Sequence, residues 1–309
     1  MKSESSAAGH IYAGLTIFIW GTTFISTKIL LRSFSPIEIL FVRFLLGFIA
    51  LSLLYPRRLK INDRRQELLF IGAGACGITL YYLLENIALN MTTASNVGII
   101  MAITPFFTAL LGLRFLKAEK PGPQFYIGFL AAISGVAIIS FRGDSPVELN
   151  PAGDSLAVLA AMTWSVYSIL TRKISELGHN AIQTTRRTFF YGLMFMLPLL
   201  HFLDFRLEPA RYASAVNLGN IIFLGLGASA LCFVTWSLAV RLLGAVKTSV
   251  YIYMVPVVTV ATSVIVLNEP LTPLLVFGAS LTLAGLWLSE TKIFRARRFS
   301  SRLSPTGRL

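Results

Sequence analysis

Long apolar segments separated by short polar ones make up almost the whole chain. Each segment is close to the roughly 20 residues that a helix needs to cross the hydrocarbon core of a bilayer. Lipid offers no hydrogen-bond partner to an open backbone, so such a segment has to be helical. The pattern therefore predicts ten membrane-spanning helices, at residues 9–31, 36–56, 67–89, 93–117, 123–141, 152–173, 181–203, 217–241, 247–267 and 271–290.

The second half of this pattern repeats the first. Residues 85–121 return as residues 236–270, with identical residues in the same order at offsets of 150 or 151. The matched pairs are Ala88 and Ala239, Ala94 and Ala245, Pro105 and Pro256, Glu119 and Glu269, Gly128 and Gly278, and Gly135 and Gly285. An ordered series of this kind indicates a duplication. We therefore expect two five-helix repeats, 9–141 and 152–290, with a linker at 142–151 and tails at 1–8 and 291–309.

Composition places these helices in a membrane. Of the 309 residues, 55% are hydrophobic and 13% are charged, and the mean hydropathy is +0.71. This is too apolar for a soluble domain of this length. The formal charge of +13 alone would suit a nucleic-acid partner. Most lysines and arginines, however, lie at segment ends, where topology signals and anionic headgroups account for them. The expected partner is therefore the lipid bilayer, and nucleic acid is not expected.

Basic residues also orient the predicted helices. The loop around Glu119 holds Lys117 and Lys120, whereas the equivalent loop at Glu269 holds neither lysine nor arginine. By the positive-inside rule, both termini lie in the cytoplasm and the linker at 142–151 is external. Five helices per repeat is an odd number, so the second repeat is inverted relative to the first. Inverted repeats are a recurrent plan of secondary transporters, whose substrate site lies near the membrane midplane between the two halves.

Two features of the chain resemble a known family. In each repeat a proline-containing helix leads to a glutamate and then to a helix with a Gly-x6-Gly pattern: Pro105, Glu119, Gly128 and Gly135 in the first repeat, and Pro256, Glu269, Gly278 and Gly285 in the second. The segments IWGTTFISTK (19–28) and TWSVYSILTRK (163–173) fit the first helix of each repeat. Over residues 9–290 the chain therefore resembles the paired EamA repeats of the drug/metabolite transporter superfamily.

This resemblance implies an all-α carrier with ten transmembrane helices in the cell membrane, often an exporter of amino acids or related metabolites. The family's motif of a small residue followed by glutamate departs slightly at Lys117 and Asn268. The resemblance therefore assigns no transport role to Glu119 or Glu269.

Ionisable residues inside the predicted spans are rare, because a charge near the bilayer centre costs about 2.5–3.5 kcal/mol on insertion scales. Arg43 and Arg187 occupy equivalent repeat positions, about 10 Å deep from opposite faces at the helical rise per residue. These equivalent positions favour a role for both arginines as charges on a transport pathway. Alternatively, both side chains reach the headgroups or bond carbonyls where helices pack. Glu38, just after Pro36, is instead predicted to cap the second helix.

Glu85 lies about one turn from the outer end of the third span, with Tyr81 and Tyr82 on the same side of the helix. If it faces a cavity, its carboxyl group can exchange protons or bind a substrate amine. Glu85 and Tyr82 are therefore candidate substrate-binding residues. The alternative is a structural carboxylate, whose partner would be Lys28, Asn86 or Asn90.

Aromatic side chains in several spans indicate an apolar lining for a substrate cavity. Trp20 and Trp164 occupy equivalent repeat positions, and rings at the midplane would suit a substrate with an apolar or aromatic side chain. The candidates are Trp20, Trp164, Tyr167, Trp236 and Tyr253, with Asn96 as a polar contact. Packing against lipid or against another helix explains any single ring equally well.

Two prolines lie within predicted spans. Pro105 and Pro256 each free a backbone carbonyl in mid-helix, which is tolerated where neighbouring groups or cavity water take up the bond. We expect either a hinge or a simple packing kink at each position.

Signatures of catalysis are missing from the sequence, which has no HExxH, GxSxG or GxxxxGK[ST] motif. Cys76 and Cys232 lie at non-equivalent repeat positions, which favours neither a disulfide framework nor a metal site. The histidines lie near span ends, at His10, His179 and His201. We therefore expect no enzyme activity, no cofactor and no bound metal.

Together these features predict a secondary transporter that exports a small organic metabolite, such as an amino acid, by alternating access, with protons as a candidate coupling ion. One alternative is a channel or facilitator for a small solute. Another is a membrane enzyme or lipid-handling protein, which would need a paired acid, histidine or metal cluster at one interface. The sequence predicts no particular oligomeric state.

Overall fold

A computed structural model describes residues 2–61, 63–116, 122–140, 150–203, 205–206 and 208–300. Within these ranges the chain forms helices and no strands, as the predicted fold class requires. Some predicted features lie outside the described residues, namely Lys117, Glu119, Lys120, residues 142–149 of the predicted linker and the tail beyond residue 300.

The first repeat consists of seven α-helices and one π-helical segment in the described ranges. They are α1 (Lys2–Leu30), α2 (Pro36–Leu54), α3 (Arg64–Ala73), the first π segment (Gly74–Leu80), α4 (Tyr81–Met91), α5 (Ala94–Met101), α6 (Thr104–Phe115) and α7 (Pro123–Ser140).

The second repeat follows the same plan. Its elements are α8 (Pro151–Glu176), α9 (Ala181–Phe202), α10 (Pro209–Tyr212), α11 (Ala215–Ile222), the second π segment (Phe223–Leu231), α12 (Cys232–Leu243), α13 (Ala245–Ser249), a 3₁₀ segment (Val250–Met254), α14 (Val255–Leu267) and α15 (Pro273–Ser300). These elements fit the ten predicted spans. Seven of the helical stretches in the described part of the chain are long and apolar enough to cross a membrane.

The N-terminus of α2 is capped as the sequence predicts. The Ser35 hydroxyl accepts a hydrogen bond from the Glu38 amide, and the Glu38 carboxylate accepts one from the Ser35 amide at 2.7 Å. This reciprocal capping box satisfies two amides that have no partner within the helix. The predicted capping role of Glu38 is confirmed.

Each predicted proline lies at the start of a new helix rather than in the middle of a continuous one. Pro105 is the second residue of α6 and follows a turn at Ala102 and Ile103, which ends α5. Pro256 is the second residue of α14 and follows the 3₁₀ segment. A proline lacks the N–H group and its ring clashes with the preceding turn, so the first turn of a helix is where it fits best.

The two repeats interlock through their second and third helical stretches. Helix α9 packs against the first π segment, and α2 packs against the second. The approach is close at Gly74, where an added Cβ would lie 2.7 Å from the backbone nitrogen of Gly192. The largest cluster of buried apolar residues lies between the repeats and draws on both.

Helices α7 and α15 form a separate pair beside this core. An added Cβ on Gly135 would lie 2.5 Å from the carbonyl oxygen of Gly278, so the two backbones are in direct contact. Small residues allow this approach in membrane helices. The outward side of the pair is apolar and exposed, as at Leu130 and Phe277. It has the character of a surface that faces lipid.

Among the described residues, two ion pairs join the repeats, one at each end of the molecule. At the end that carries Glu269, here called the Glu269 face, both oxygens of Glu38 accept hydrogen bonds from Arg211 at 2.9 and 3.0 Å. These bonds raise the pKa of the Arg211 guanidinium above its ordinary value. At the other end, here called the Glu67 face, Glu67 pairs with Arg187. Repeat 1 supplies both glutamates and repeat 2 both arginines.

Candidate functional site

Aromatic side chains from both repeats meet at the centre of the molecule. The Trp20 ring meets the Trp164 ring edge-on, with centroids 5.1 Å apart and planes at 88°. Trp236 lies 5.1 Å from Trp20, and Tyr167 lies 4.8 Å from Trp164. All four rings are buried. Four of the predicted site residues therefore form one cluster, which we call the aromatic cluster.

A narrow cavity of about 30 Å³ lies against this cluster. A space of this size holds about one water molecule. Its wall comes from α1, α4, α5, α8, the 3₁₀ segment and α14, and includes Trp20, Tyr81, Tyr82, Glu85, Trp164 and Ile252. The cavity thus lies between the repeats, and its lining is aromatic and aliphatic apart from Thr23 and Glu85.

Glu85 is the one carboxylate among the described residues that line this central cavity. Its side chain is 1% exposed, and its Oε1 atom has no hydrogen-bond partner among the described residues. The Tyr81 side chain, one turn earlier on α4, lines the same cavity. A buried carboxylate oxygen without a partner is costly to keep, and it is ready to accept a proton or a donor group of a ligand.

Two of the three partners considered for Glu85 on sequence grounds, Lys28 and Asn86, are engaged elsewhere. Lys28 donates through Nζ to the carbonyl oxygens of Leu89 and Thr92, which end α4. Asn86 donates through Nδ2 to the Pro36 carbonyl oxygen at 3.2 Å. Neither side chain neutralises or bonds the Glu85 oxygen.

Arg43 lies deep in the core, behind Tyr82. Its guanidinium carbon is 4.3 Å from the centroid of the Tyr82 ring, and its Nε atom donates to the Ser229 hydroxyl at 3.0 Å. The side chain is 1% exposed, and Nη1 and Nη2 have no hydrogen-bond partner in the described part of the chain. The face of the Tyr82 ring attracts the guanidinium cation, but it does not replace hydrogen-bond acceptors for Nη1 and Nη2. Arg43 therefore presents unused donors for an anion.

Arg187 has a different environment from Arg43. It donates to Glu67 through Nε at 2.8 Å and Nη2 at 2.6 Å, and through Nη1 to the Leu59 carbonyl oxygen. The Tyr191 hydroxyl donates to the same carboxylate. These contacts lie at the Glu67 face, away from the aromatic cluster. The structure therefore does not bring the two predicted pathway charges together.

Two other predicted residues lie outside the aromatic cluster. Asn96 is on α5, where its Nδ2 atom donates to the Thr92 hydroxyl at 3.2 Å and its Oδ1 atom is buried. Tyr253 packs against Ala102, Ala132 and Leu286, between the core and the α7–α15 pair. Neither side chain is in the wall of the central cavity.

The sequence did not single out one central ring of the cluster. Phe233 is fully buried and lies 5.6 Å from Trp20 and 6.2 Å from Tyr82. It occupies the repeat position equivalent to Tyr82, at the offset of 151. The repeat alignment was therefore the signal that could have found it.

A second and larger cavity opens at the Glu269 face, and we call it the vestibule. Its volume is about 330 Å³, and its wall includes Lys28, Arg32, Asn90, Thr93 and Glu269. The Glu269 carboxylate caps α5 by accepting hydrogen bonds from the Ala94 and Ser95 amides at 2.9 and 3.1 Å. Glu269 thus ties repeat 2 to the helix that follows α4 in repeat 1.

No group of three or more histidine, cysteine, aspartate or glutamate side chains is placed to hold a metal ion within the described ranges. Both cysteines, Cys76 and Cys232, are free thiols.

Comparison with known proteins adds a family and several relatives. A sequence model described as the EamA-like transporter family matches residues 7–141 and again residues 151–291. An uncharacterized transporter of Archaeoglobus fulgidus is 28% identical over 288 residues, which is 92% of this chain and 97% of the relative. A probable terminal-alkyne amino-acid exporter of Streptantibioticus cattleyicolor is 27% identical over 93% of this chain and 95% of its own length.

Similarity also extends to an organellar translocator and to a solved structure. The chloroplastic phosphoenolpyruvate/phosphate translocator 1 of Arabidopsis thaliana is 29% identical over 82% of this chain and 64% of that protein. A crystal structure with 20% sequence identity superposes with a TM-score of 0.66, covering 99% of this chain and all of the other. That structure supports the fold alone.

Proposed function

Since the chain belongs to the EamA-like transporter family and is a multi-pass membrane transporter, we propose that it exports a small organic metabolite, such as an amino acid, by alternating access. The observation that carries the proposal is the central cavity between the repeats. There, Glu85 has an unpartnered carboxylate oxygen beside the aromatic cluster, and Arg43 has two unpartnered nitrogens behind Tyr82.

An α-amino acid matches these groups. Its ammonium group can donate to Glu85, and its carboxylate can accept from the Nη groups of Arg43 once the Tyr82 ring turns aside. Charge-assisted hydrogen bonds of this kind are among the stronger polar contacts. An apolar side chain would pack on Trp20 and Trp164. The similarity to a probable terminal-alkyne amino-acid exporter supports the same substrate class.

The size of the central cavity supports alternating access. A volume of about 30 Å³ is far below that of a ligand pocket, which is roughly 300–1,000 Å³. The repeats must therefore separate before a solute can reach Glu85. The turn before Pro105 and the 3₁₀ segment before Pro256 are the proposed hinges, because a break in a helix leaves fewer backbone hydrogen bonds to resist bending.

The proposed orientation puts the Glu67 face and both termini in the cytoplasm and the Glu269 face outside. The distribution of lysine and arginine supports it. In this orientation the vestibule is on the external side. A proton is the proposed coupling ion, since Glu85 can carry either a proton or the substrate ammonium but not both at one oxygen.

Transport by purified protein in proteoliposomes tests the proposal. The vesicles are preloaded with mixed amino acids, and efflux is measured with and without a pH gradient for the wild type, Glu85→Gln and the control Glu208→Gln. Glu208 is an exposed carboxylate that pairs with Arg211 far from the cavity. We expect wild type and control to transport and respond to the gradient, and Glu85→Gln to lose the response.

The outcomes separate the alternatives. Counterflow of a trapped labelled solute indicates a carrier, because a continuous pore does not exchange solute against a gradient. Gradient-driven transport that survives Glu85→Gln would remove Glu85 from the coupling step. If no amino acid moves, the substrate class is wrong.

A further inference from the structure

The vestibule and the central cavity lie in series along the same two helices. On α1, Trp20 and Phe24 line the central cavity and Lys28 lines the vestibule, and Arg32 follows in the turn after α1 and also lines the vestibule. On α4, Glu85 lines the central cavity and Leu89 the vestibule. Residues four apart lie on one face of a helix, one turn higher. From Phe24 to Lys28 the path rises about 6 Å along α1.

Of these two cavities, the vestibule is the one with room for a solute in this conformation. Its volume of about 330 Å³ falls at the lower end of the range for ligand pockets, whereas the central cavity holds about one water molecule. A solute on the external side would therefore occupy the vestibule without reaching Glu85.

The charges of the vestibule are not equally available. Lys28 is engaged with the carbonyl oxygens of Leu89 and Thr92, and Glu269 with the amides that begin α5. Their opposite charges also offset each other. Arg32 is exposed and makes no side-chain hydrogen bond or ion pair with any other described residue. The available charge in the wall is therefore positive and belongs to a guanidinium, which binds carboxylates with two parallel hydrogen bonds.

We propose that the vestibule is a second binding station of the transport path, which holds the carboxylate group of an amino acid through Arg32. This inference rests on the proposed function for its substrate class but not on the role of Glu85. Arg32 selects solutes with a free carboxylate at the external mouth, before re-entry or after release. An anionic lipid headgroup is the competing source of negative charge at this depth.

Protection of an engineered cysteine tests the station without requiring transport. The variant Asn90→Cys, with Cys76→Ala and Cys232→Ala, places one thiol in the vestibule wall, because Asn90 is exposed there. The protein in proteoliposomes is labelled from outside with a membrane-impermeant maleimide. We expect an equimolar amino-acid mixture to slow labelling several-fold, and the matching mixture of amino-acid amides to have no effect.

Further substitutions, added to the cysteine variant, make the labelling test specific for Arg32. Arg32→Gln should raise the protecting concentration of amino acids about tenfold, which corresponds to about 1.4 kcal/mol. Arg32→Lys should restore part of the affinity. The control Arg206→Gln removes the same charge at the same face outside the vestibule and should change nothing. The thiol of Ser214→Cys, also exposed at that face, should label without protection.

Each contrary result has a separate meaning. Protection by the amides, or protection that survives Arg32→Gln, would overturn the carboxylate station. Protection that follows the anionic lipid content of the vesicles, and not the amino acids, would assign Arg32 to a headgroup. Protection by amino acids in a protein whose gradient-driven transport survives Glu85→Gln would support the station and show that the proposed coupling at Glu85 is wrong.

Discussion

Arg43 and Arg187 occupy equivalent positions in the two repeats, yet their surroundings differ in one chemical respect. Arg187 has a carboxylate beside it, because Glu67 of repeat 1 lies on the helix that α9 crosses. At the repeat offset of 151, Leu218 takes the place of Glu67, so Arg43 meets no equivalent acid. Arg43 instead contacts Ser229 and the rings of Phe44 and Tyr82.

This difference shows how a duplicated chain makes one asymmetric site. Duplication supplies the same cation twice, and the residue that faces it from the other repeat decides its role. The paired cation holds two helices together at the Glu67 face. The unpaired one is left with donors for a ligand at the centre, where a buried charge without a partner is tolerated only at a cost in stability.

The largest expected effect is the loss of transport in Arg43→Met, which removes the guanidinium but keeps an unbranched side chain. We expect at least about a hundredfold lower kcat/KM, since two charge-assisted hydrogen bonds to a substrate carboxylate are lost. The unfolding temperature should fall less than in Arg187→Met, because Arg43 forms no salt bridge with a carboxylate among the described residues. Transport in proteoliposomes and thermal unfolding in detergent measure both quantities.

Arg187→Met is the matched control for this change. It leaves Glu67 without its cation, so it should lower the unfolding temperature while transport per folded molecule stays within about threefold of wild type. Equal losses of transport in the two variants would mean that both arginines act on the pathway, and the comparison would fail.

A smaller effect is expected when Arg43 is given the acid that it lacks. Ser229→Asp places a carboxylate where the Ser229 hydroxyl now accepts from Nε at 3.0 Å. The new pair should occupy the guanidinium and lower transport about tenfold through a higher KM. Ser229→Asn has nearly the same shape without the charge and should stay within about threefold. Similar losses in both variants would indicate a packing defect.

The smallest effect on transport is expected at the Glu67 face. A double-mutant cycle with Glu67→Gln and Arg187→Met should give a coupling free energy of about 1–3 kcal/mol in stability, between the exposed and fully buried limits for ion pairs. The same cycle with Glu67→Gln and Arg43→Met should be additive within about 0.5 kcal/mol. Denaturation of the purified protein measures these values. A coupling near zero for the first pair would show that the contact does not join the repeats energetically.

Residue identities alone were enough to single out some of the residues that the structure brings together at the central cavity. Trp20 and Trp164 were predicted from their equivalent positions, and Glu85 from its rarity as a charge within a span. The ion pair of Arg187 with Glu67 was not predicted, because the partners come from different repeats and nothing in either local pattern links them. Tyr253 illustrates the converse, since an aromatic residue in a span can equally pack at the periphery.

The sequence by itself determined that the chain is a duplicated, all-helical membrane protein. The physical reason is local, because lipid forces each long apolar segment to satisfy its own backbone hydrogen bonds as a helix. Only the tertiary structure decided which of two equivalent arginines is neutralised, which rings meet, and that a vestibule lies above the central cavity. Those features depend on side chains about 100 to 200 residues apart in sequence, as for Trp20 with Ala228 or Glu67 with Arg187, whose approach is set by how the helices of the two repeats pack.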